Sequence, residues 1–174
     1  MKNIKKRSKT LSFLLRHNPD FVNPRYDIYG WVDVDRIIKN TNFTLEELKE
    51  IVNYDTRYEF NKDGSKIRAF HGHSIDGIIY TNESIPQKIL YHGTSLKGYE
   101  DIINSGFIKG MSRVQVHLSI SKENAIKIGQ RHGKPIVLFI DTETMLKDGF
   151  KFFKSGDGVW LTNDIPTKYI LEVN

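Results

Sequence analysis

A polar segment near the middle of the chain, from Thr81 to Gln87, separates two halves whose hydrophobic patterns differ. The segment contains Pro86 and has the composition of a linker. Before it, apolar residues recur at helical spacing in three short stretches and then alternate along two strands. After it, short apolar runs indicate strands with small helices between them. The pattern therefore predicts an α+β protein with two lobes, residues 1–83 and 84–174.

The first lobe has the order of a winged helix, with three short helices followed by a hairpin. The first helix is indicated by apolar side chains at helical spacing, which are Ile4, Leu11, Leu14 and Leu15. It should end at Asn18, because the residue before Pro19 is disfavoured in helical geometry. Thr44 and Glu47 have the spacing of a capping box that opens the third helix. Asp63-Gly64 marks the turn of a hairpin, and the order alone does not establish nucleic-acid binding.

The second lobe is organised around the stretch from Leu90 to Ser119. Leu90 to Thr94 has the pattern of a short strand, and Val114 to Ser119 has that of a second, alternating strand. Each strand carries a histidine, and Arg113 directly precedes the second strand. We expect the two strands to bring two imidazoles, a hydroxyl and a guanidinium together. Glycine follows the first histidine, and at such a position a backbone can approach a ligand closely.

Further elements complete the second lobe. Ser121 can cap a helix that runs from Lys122 to about Arg131. Ile136 to Ile140 is a continuous apolar run and predicts a central strand. The remaining strand predictions are a hairpin formed by 150–153 and 159–162 and a last strand at 169–173.

The charge and composition restrict the partners of the chain. The formal net charge is +5 and the pI is about 9.3, which favours an anionic partner such as a nucleic acid or a phosphorylated ligand. The first sixteen residues hold six basic side chains and no acid, a pattern that a solvated helix face would also explain. There is no cysteine, so disulfides, thiolate zinc sites and thiol nucleophiles are excluded. No apolar run is long enough to span a membrane, and we expect a cytoplasmic monomer without an identified protein partner.

Arginine and histidine dominate the candidate site residues. Arg16 and His17 fall at the predicted end of the first helix, where cations also complement the helix dipole. His71 and His73 share one side of a strand, but no third or fourth ligand is evident, so we predict no metal site. Guanidinium groups bind phosphate oxygens bidentately and keep their charge, so several arginines acting together indicate a phosphate that is held through a reaction.

Nearly the whole chain resembles the RNA 2′-phosphotransferases of the KptA type. The matching stretches, in order, are Leu14-Leu15-Arg16-His17 with Pro19, Ile67-Arg68-Ala69 with Gly72-His73-Ser74, Leu90-Tyr91-His92-Gly93-Thr94, Arg113 with Val116-His117-Leu118-Ser119, Gly129-Gln130-Arg131 with Gly133-Lys134-Pro135, and Gly158-Val159-Trp160-Leu161-Thr162. The resemblance implies a winged-helix-like N-terminal lobe, an ADP-ribosyltransferase-like C-terminal lobe and a cleft between them. Two positions depart from the family pattern: His71 replaces a usual glutamine, and Gln115 replaces a frequent histidine.

The resemblance also implies a reaction that consumes NAD. An internal 2′-phosphate on RNA, such as one left at a tRNA splice junction, attacks the ribose carbon that bears nicotinamide and expels that base. The neighbouring ribose hydroxyl then attacks the phosphorus and releases 2′-hydroxyl RNA and ADP-ribose 1″,2″-cyclic phosphate. A phosphate monoester is already largely dianionic at neutral pH, so the first step needs no general base.

The resemblance assigns roles to individual residues. The implied catalytic set is Arg16, His17, Arg68 and Arg113. The implied NAD-binding set is His92, Gly93, Thr94, His117, Ser119 and Val159. His17 can donate to a phosphate oxygen or act as acid or base, and both roles stay open. Val159 falls where related transferases that act on weaker nucleophiles often have a carboxylate.

Two other functions compete with this one. The chain can instead be an ADP-ribosyltransferase that modifies terminal phosphates of nucleic acids, in which case a stable ADP-ribosylated end should accumulate. It can also be a non-enzymatic winged-helix protein that binds nucleic acid, in which case binding should depend on salt and not on NAD.

Overall fold

The protein is described by a computed structural model covering residues 2–18, 27–75, 77–111 and 113–174. It divides into two compact units, Met1–Thr81 and Asn82–Asn174. Pro19, which the sequence predicts to end the first helix, lies outside the described residues. Among the described residues, no helix has both the length and the apolar character needed to cross a membrane.

The described residues of the first unit form three helices and one small sheet. Its elements are α1 (Lys2–Arg16), β1 (Val32–Asp33), α2 (Val34–Asn40), α3 (Leu45–Tyr54), β2 (Tyr58–Phe60) and β3 (Lys66–Ala69). β3 lies in the middle of an antiparallel sheet, where Ile67 pairs with Val32 on one side and Phe60 on the other. The three helices and the hairpin were predicted from the sequence. Arg16 is the last residue of α1, and His17 follows in a turn.

The core of the first unit explains the apolar spacing of its helices. Leu11 and Leu15 of α1, Ile37 of α2 and Ile51 of α3 are almost fully buried. The predicted capping box is confirmed at α3. The hydroxyl oxygen of Thr44 accepts from the Glu47 amide at 3.2 Å, and the Glu47 carboxylate accepts from the Thr44 amide at 3.1 Å. Such a cap stabilises a helix by about 1 kcal/mol.

Where the structure describes it, the second unit has three small antiparallel sheets and three α-helices. Its elements are β4 (Ile89–Ser95), α4 (Leu96–Ser105), β5 (Phe107–Ile108), β6 (Val116–Leu118), α5 (Lys122–Gly129), β7 (Pro135–Asp141), α6 (Thr142–Lys147), β8 (Phe153–Lys154), β9 (Trp160–Thr162), β10 (Ile165–Pro166) and β11 (Ile170–Val173). The sheets have the orders β11-β7-β4, β6-β9-β8 and β10-β5. A backbone bridge between Tyr91 and Ser119 joins β4 to the end of β6.

Several elements differ from the sequence-based prediction. α6 and the pairing of β5 with β10 were not predicted, because both are too short to show a period. α5 ends at Gly129 and continues as a 3₁₀ helix through Gln130–His132. Part of the predicted linker is built into the second unit. The Ser84 amide donates to the Phe152 carbonyl, and the Lys154 amide donates to the Asn82 carbonyl.

Candidate functional site

The described residues include two groups of predicted site residues, one in each unit. In the first unit, cationic and imidazole side chains from α1, β3 and the segment after β3 form what we call the basic cluster, which comprises Arg16, His17, Arg68, His71 and His73. Arg16 is only 7% exposed although it ends a helix. The Ser74 amide donates to the Arg16 carbonyl at 3.1 Å and thereby ties the segment after β3 to the end of α1.

Gly72 allows this segment to pass close to Arg16. Its φ is +85°, a conformation that residues with a Cβ rarely adopt. A Cβ added at Gly72 would lie 3.3 Å from Nη1 of Arg16. The backbone therefore lies directly beside the guanidinium, and Gly72 has both a conformational and a steric reason to be glycine.

His17 is exposed, and its ring contacts the segment that follows β3. Its Nδ1 lies 3.0 Å from the Ser74 hydroxyl oxygen. The same loop that contacts the Arg16 carbonyl therefore also orients the His17 ring. A chain reversal after β3 brings Ser74 back to α1, so two neighbouring residues of the helix end are fixed by one residue of the loop.

Arg68 is oriented by three contacts within the first unit. Its guanidinium forms an ion pair with Glu59 at 2.6 Å, across the β2–β3 register. It also lies 4.3 Å above the Trp31 ring, and its Nη1 donates to the Tyr29 carbonyl at 3.3 Å. Cation–π stacking and a carboxylate together restrict the rotamers of an arginine. Arg68 is thus presented in one defined orientation.

The pKa of His73 reflects the positive charge of the basic cluster. Burial is the largest cause that lowers the pKa of His73, and the charges of neighbouring side chains add to it. Together they lower the pKa to about 3, and the charged neighbours, in order of effect, are Arg16, His71, His17 and Arg68. The ring is therefore neutral at pH 7, and its Nδ1 lies 3.3 Å from the Tyr80 hydroxyl. A positive environment that disfavours one more proton favours an anion. No group of three or more metal-binding side chains occurs among the described residues.

In the second unit, His92 lies on β4 and has a defined tautomer. Its Nδ1 donates to the His117 carbonyl at 3.2 Å, since a carbonyl can only accept. Burial lowers the pKa of His92, and this hydrogen bond opposes the shift only partly. The ring is therefore neutral at pH 7 with its proton on Nδ1, and Nε2 is left as an acceptor.

His117 on β6 has the opposite tautomer. Nη1 of Arg113 lies 2.7 Å from its Nδ1, and because a guanidinium only donates, Nδ1 must accept. The proton of a neutral His117 ring is then on Nε2. The two histidines thus offer different groups: Nε2 of His92 accepts a hydrogen bond, and Nε2 of His117 donates one.

Ser119 and Val159 lie at the same end of the β6–β9 pair. Leu118 pairs with Trp160, so Ser119 follows one member of this pair and Val159 precedes the other. Ser119 is 9% exposed, and its backbone is bonded to Tyr91, the residue before His92. The predicted proximity of the two histidines and Arg113 is therefore observed, and Ser119 is joined to the same strand through its backbone. Asp157 is the carboxylate nearest to Val159 in sequence, and it accepts a hydrogen bond from Ser155.

Gly93 and Thr94 have structural roles that the sequence did not indicate. A Cβ at Gly93 would lie 1.9 Å from the carbonyl oxygen of Ala125, so the close approach at this glycine is made by α5. Thr94 is oriented towards α4, because its hydroxyl oxygen would be 2.3 Å from a Cβ on Gly98. Packing alone is sufficient to require glycine at position 93.

The sequence did not predict the contacts that support the arginines and His17. Glu59, Trp31 and Ser74 contact Arg68 or His17 directly. Only the cross-strand spacing of Glu59 and Arg68 could have been anticipated from the hairpin. Ser74 and Trp31 are distant in sequence from their partners and carry no local signal.

Comparison with known proteins assigns the chain to a class. The family model described as RNA 2′-phosphotransferase, Tpt1/KptA family, matches residues 2–164, and the chain belongs to this family. A probable RNA 2′-phosphotransferase of Fusobacterium nucleatum is 43% identical over 98% of this chain and 99% of its own length. Proteins of the same description occur in two further bacteria. The Burkholderia pseudomallei protein is 41% identical over 94% of this chain and 92% of its own length. The Flavobacterium johnsoniae protein is 43% identical over 94% of this chain and 93% of its own length. A crystal structure of a Caulobacter crescentus protein can be superposed on part of this chain with a TM-score of 0.39. The superposed part covers 49% of this chain and 83% of the other chain, and the sequence identity is 14%.

Proposed function

We propose that the chain removes an internal 2′-phosphate from RNA, including tRNA splice junctions, and transfers it to the ADP-ribose part of NAD. The observation that carries the proposal is membership of the RNA 2′-phosphotransferase family over residues 2–164. Two features of the molecule add support. They are the basic cluster of the first unit and the pair of complementary histidine tautomers in the second unit.

The basic cluster has the chemistry needed to hold the RNA phosphate. Arg16 and Arg68 are permanently charged, and Arg68 is held by Glu59 and Trp31 before any ligand arrives. Preorganised cations stabilise charge that builds up on phosphoryl oxygens, because they need little reorganisation during the reaction. His17 is exposed and oriented by Ser74, so it can donate to a phosphate oxygen or exchange a proton with the RNA 2′-oxygen.

The second unit has groups that fit NAD. Ribose hydroxyls and a carboxamide each donate and accept hydrogen bonds, and this unit offers an acceptor at His92, a donor at His117 and the hydroxyl of Ser119. NAD supplies an electrophilic ribose carbon with nicotinamide as its leaving group. The dianionic RNA phosphate forms a bond to that carbon while the bond to nicotinamide breaks, and nicotinamide leaves with the electron pair.

The second step returns a hydroxyl to the RNA. The adjacent ribose hydroxyl forms a bond to phosphorus, and the bond from phosphorus to the RNA 2′-oxygen breaks. One proton passes from the ribose hydroxyl oxygen to the RNA 2′-oxygen. Arg16, Arg68 and Arg113 are the proposed stabilisers of the phosphoryl oxygens in this step. Val159, in place of a carboxylate, agrees with a nucleophile that is already ionised.

The same proposal assigns the lobes. The first unit is a winged-helix-like lobe that binds the RNA phosphate, and the second is an ADP-ribosyltransferase-like lobe that binds NAD. The three helices and hairpin of the first unit, and the small sheets around His92 and His117 in the second, support this assignment.

The test is a single incubation with matched RNAs. An oligonucleotide with one internal 2′-phosphate should lose it only when NAD is present, with one nicotinamide released per phosphate. The same sequence with a 2′-hydroxyl should release none. If NAD is consumed but a stable ADP-ribosylated terminal phosphate accumulates, the chain is a terminal-phosphate transferase. If the 2′-phosphate persists and nicotinamide is not released, the proposal is wrong.

A further inference from the structure

One exposed line of side chains on α1 runs directly into the basic cluster. We call it the α1 stripe, and it consists of Lys5, Lys9, Phe13 and His17. Successive members are four residues apart, so they are neighbours on one side of the helix. All four are exposed, and the Phe13 and His17 rings have centroids 6.1 Å apart.

The two lysines of the stripe have solvent-exposed side chains. Among the residues that the structure describes, neither Lys5 nor Lys9 forms an ion pair. Arg7 differs from them, because its guanidinium is bound to Glu47 and Asn42. The positive charge of Arg7 is therefore used in joining α1 to α3, whereas the stripe has charge available for a partner.

Phe13 is an aromatic residue of α1 that does not belong to the buried core. The other large apolar residues in the second half of α1, which are Leu11, Leu14 and Leu15, are at most 7% exposed and form the core. Phe13 is 54% exposed and sits beside His17, a residue of the basic cluster. An exposed aromatic face beside a cationic track is the usual combination for a single nucleic-acid strand, since every base can stack on it.

We propose that the α1 stripe binds the RNA strand that flanks the 2′-phosphate. Lys5 and Lys9 would contact backbone phosphates, and Phe13 would stack on an unpaired base next to the phosphorylated nucleotide. From Lys5 to His17 the helix rises about 18 Å, which spans several nucleotides. The inference deepens the proposed function, since it defines the substrate as a strand with an unpaired base beside the phosphate.

The experiment compares a 2′-phosphorylated decanucleotide with a dinucleotide that bears the same 2′-phosphate. The variants are Phe13→Leu, which keeps apolar area but removes the ring, and Lys5→Gln with Lys9→Gln. Phe13→Leu should lower kcat/KM for the decanucleotide about 5- to 50-fold, and this loss should be at least fivefold larger than the loss for the dinucleotide. Phe13→Tyr should restore most of it.

Binding supplies a readout that does not require turnover. For the same decanucleotide without its 2′-phosphate, anisotropy should show weaker binding by the lysine double variant. The dependence of log K on log salt should become less steep by about 0.7 for each lost phosphate contact. The matched controls are Lys49→Gln and Tyr54→Ala, which change an exposed lysine and an exposed aromatic residue on α3 and should bind RNA as the unaltered protein does.

The outcomes separate the two proposals. If the unaltered protein removes the phosphate and the stripe variants treat both substrates alike, the proposed role of the α1 stripe is wrong and the proposed function stands. If no phosphate is removed but the variants lose RNA binding, the proposed function is wrong and the proposed role of the α1 stripe in RNA binding stands. If the variants lose binding only to phosphatidylserine vesicles, the stripe serves an anionic lipid surface and the inference is overturned.

Discussion

Arg113 and His117 form a hydrogen bond of 2.7 Å between guanidinium Nη1 and imidazole Nδ1. Because only the guanidinium can donate, the contact fixes which ring nitrogen of His117 carries its proton. The His117 carbonyl in turn accepts from His92. One arginine is thereby linked through a strand residue to the second histidine of the same unit.

Replacement of Arg113 by alanine should lower turnover strongly while leaving the fold intact. Arg113 is exposed, so the free energy of unfolding should change by no more than about 0.5 kcal/mol. Loss of one preorganised donor should lower kcat about 10²- to 10³-fold. Nicotinamide release and thermal unfolding measure the two effects, and Arg36→Ala, which alters an exposed arginine of α2, is the control.

The proposed link to His117 has its own measurement. Nitrogen NMR shifts should report a proton on Nε2 of His117 in the unaltered protein and a mixture of tautomers in Arg113→Ala. An unchanged His117 spectrum in the variant would show that the hydrogen bond does not set the tautomer.

The sequence predicted elements whose cause is local. The capping box of Thr44 and Glu47 depends on residues three apart, and the turn at Asp63-Gly64 depends on two neighbours. Both are observed. By contrast, the tautomer of His92 depends on a backbone carbonyl 25 residues away, and no pattern along the chain encodes that contact.

Gly93 illustrates the same limit within the candidate site. Its position after His92 predicts an approach by a ligand, and this stays a prediction. The structure adds a close approach that was not predicted, which is that of the Ala125 carbonyl of α5. A helix backbone that contacts a strand from 32 residues further along the chain leaves no signal beside the glycine. The supporting contacts of Arg68 with Trp31, and of His17 with Ser74, were missed for this reason.

Gly93→Ala should destabilise the second unit. A Cβ at 1.9 Å from a backbone oxygen cannot be accommodated without moving α5 away from β4. We expect a loss of about 2–3 kcal/mol in the free energy of unfolding, in the range of an overpacked core. Urea denaturation measures it. Gly149→Ala is the comparison, since φ is +88° there but nothing lies within 4 Å of the added Cβ, and its cost should be only about 1 kcal/mol. Equal costs for the two variants would contradict the packing role of Gly93.

His73 should make the protein less stable as the pH falls. Its pKa is about 3 in the folded state and 6.5 in the reference state, so between these values the unfolded chain binds a proton that the native protein does not. The free energy of unfolding therefore decreases as the pH falls through this window. From pH 7 to pH 5 the contribution is about 2 kcal/mol. His92, whose pKa is also lowered by burial, acts in the same direction.

His73→Gln should remove this part of the pH dependence. The difference between the free energies of unfolding at pH 7 and pH 5, measured by urea denaturation, should shrink by about 2 kcal/mol. The comparison of differences removes any cost of the substitution that does not depend on pH. His132→Gln alters an exposed histidine and should leave the difference as it is. An unaltered difference in His73→Gln would contradict the neutral, buried state of His73.

Ser74→Ala should reduce turnover without weakening the fold. Ser74 is exposed, and its hydroxyl lies 3.0 Å from Nδ1 of His17, while its amide bond to the Arg16 carbonyl is retained in the variant. Loss of a hydrogen bond of about 1 kcal/mol should lower kcat/KM for a 2′-phosphorylated RNA about fivefold, because the His17 ring is no longer held in one orientation. The pH dependence of kcat/KM should also change shape, a result that a purely structural serine would not produce. Ser74→Thr keeps the hydroxyl and should restore both the rate and the profile. If alanine, threonine and serine give the same rate and the same profile, Ser74 does not position His17.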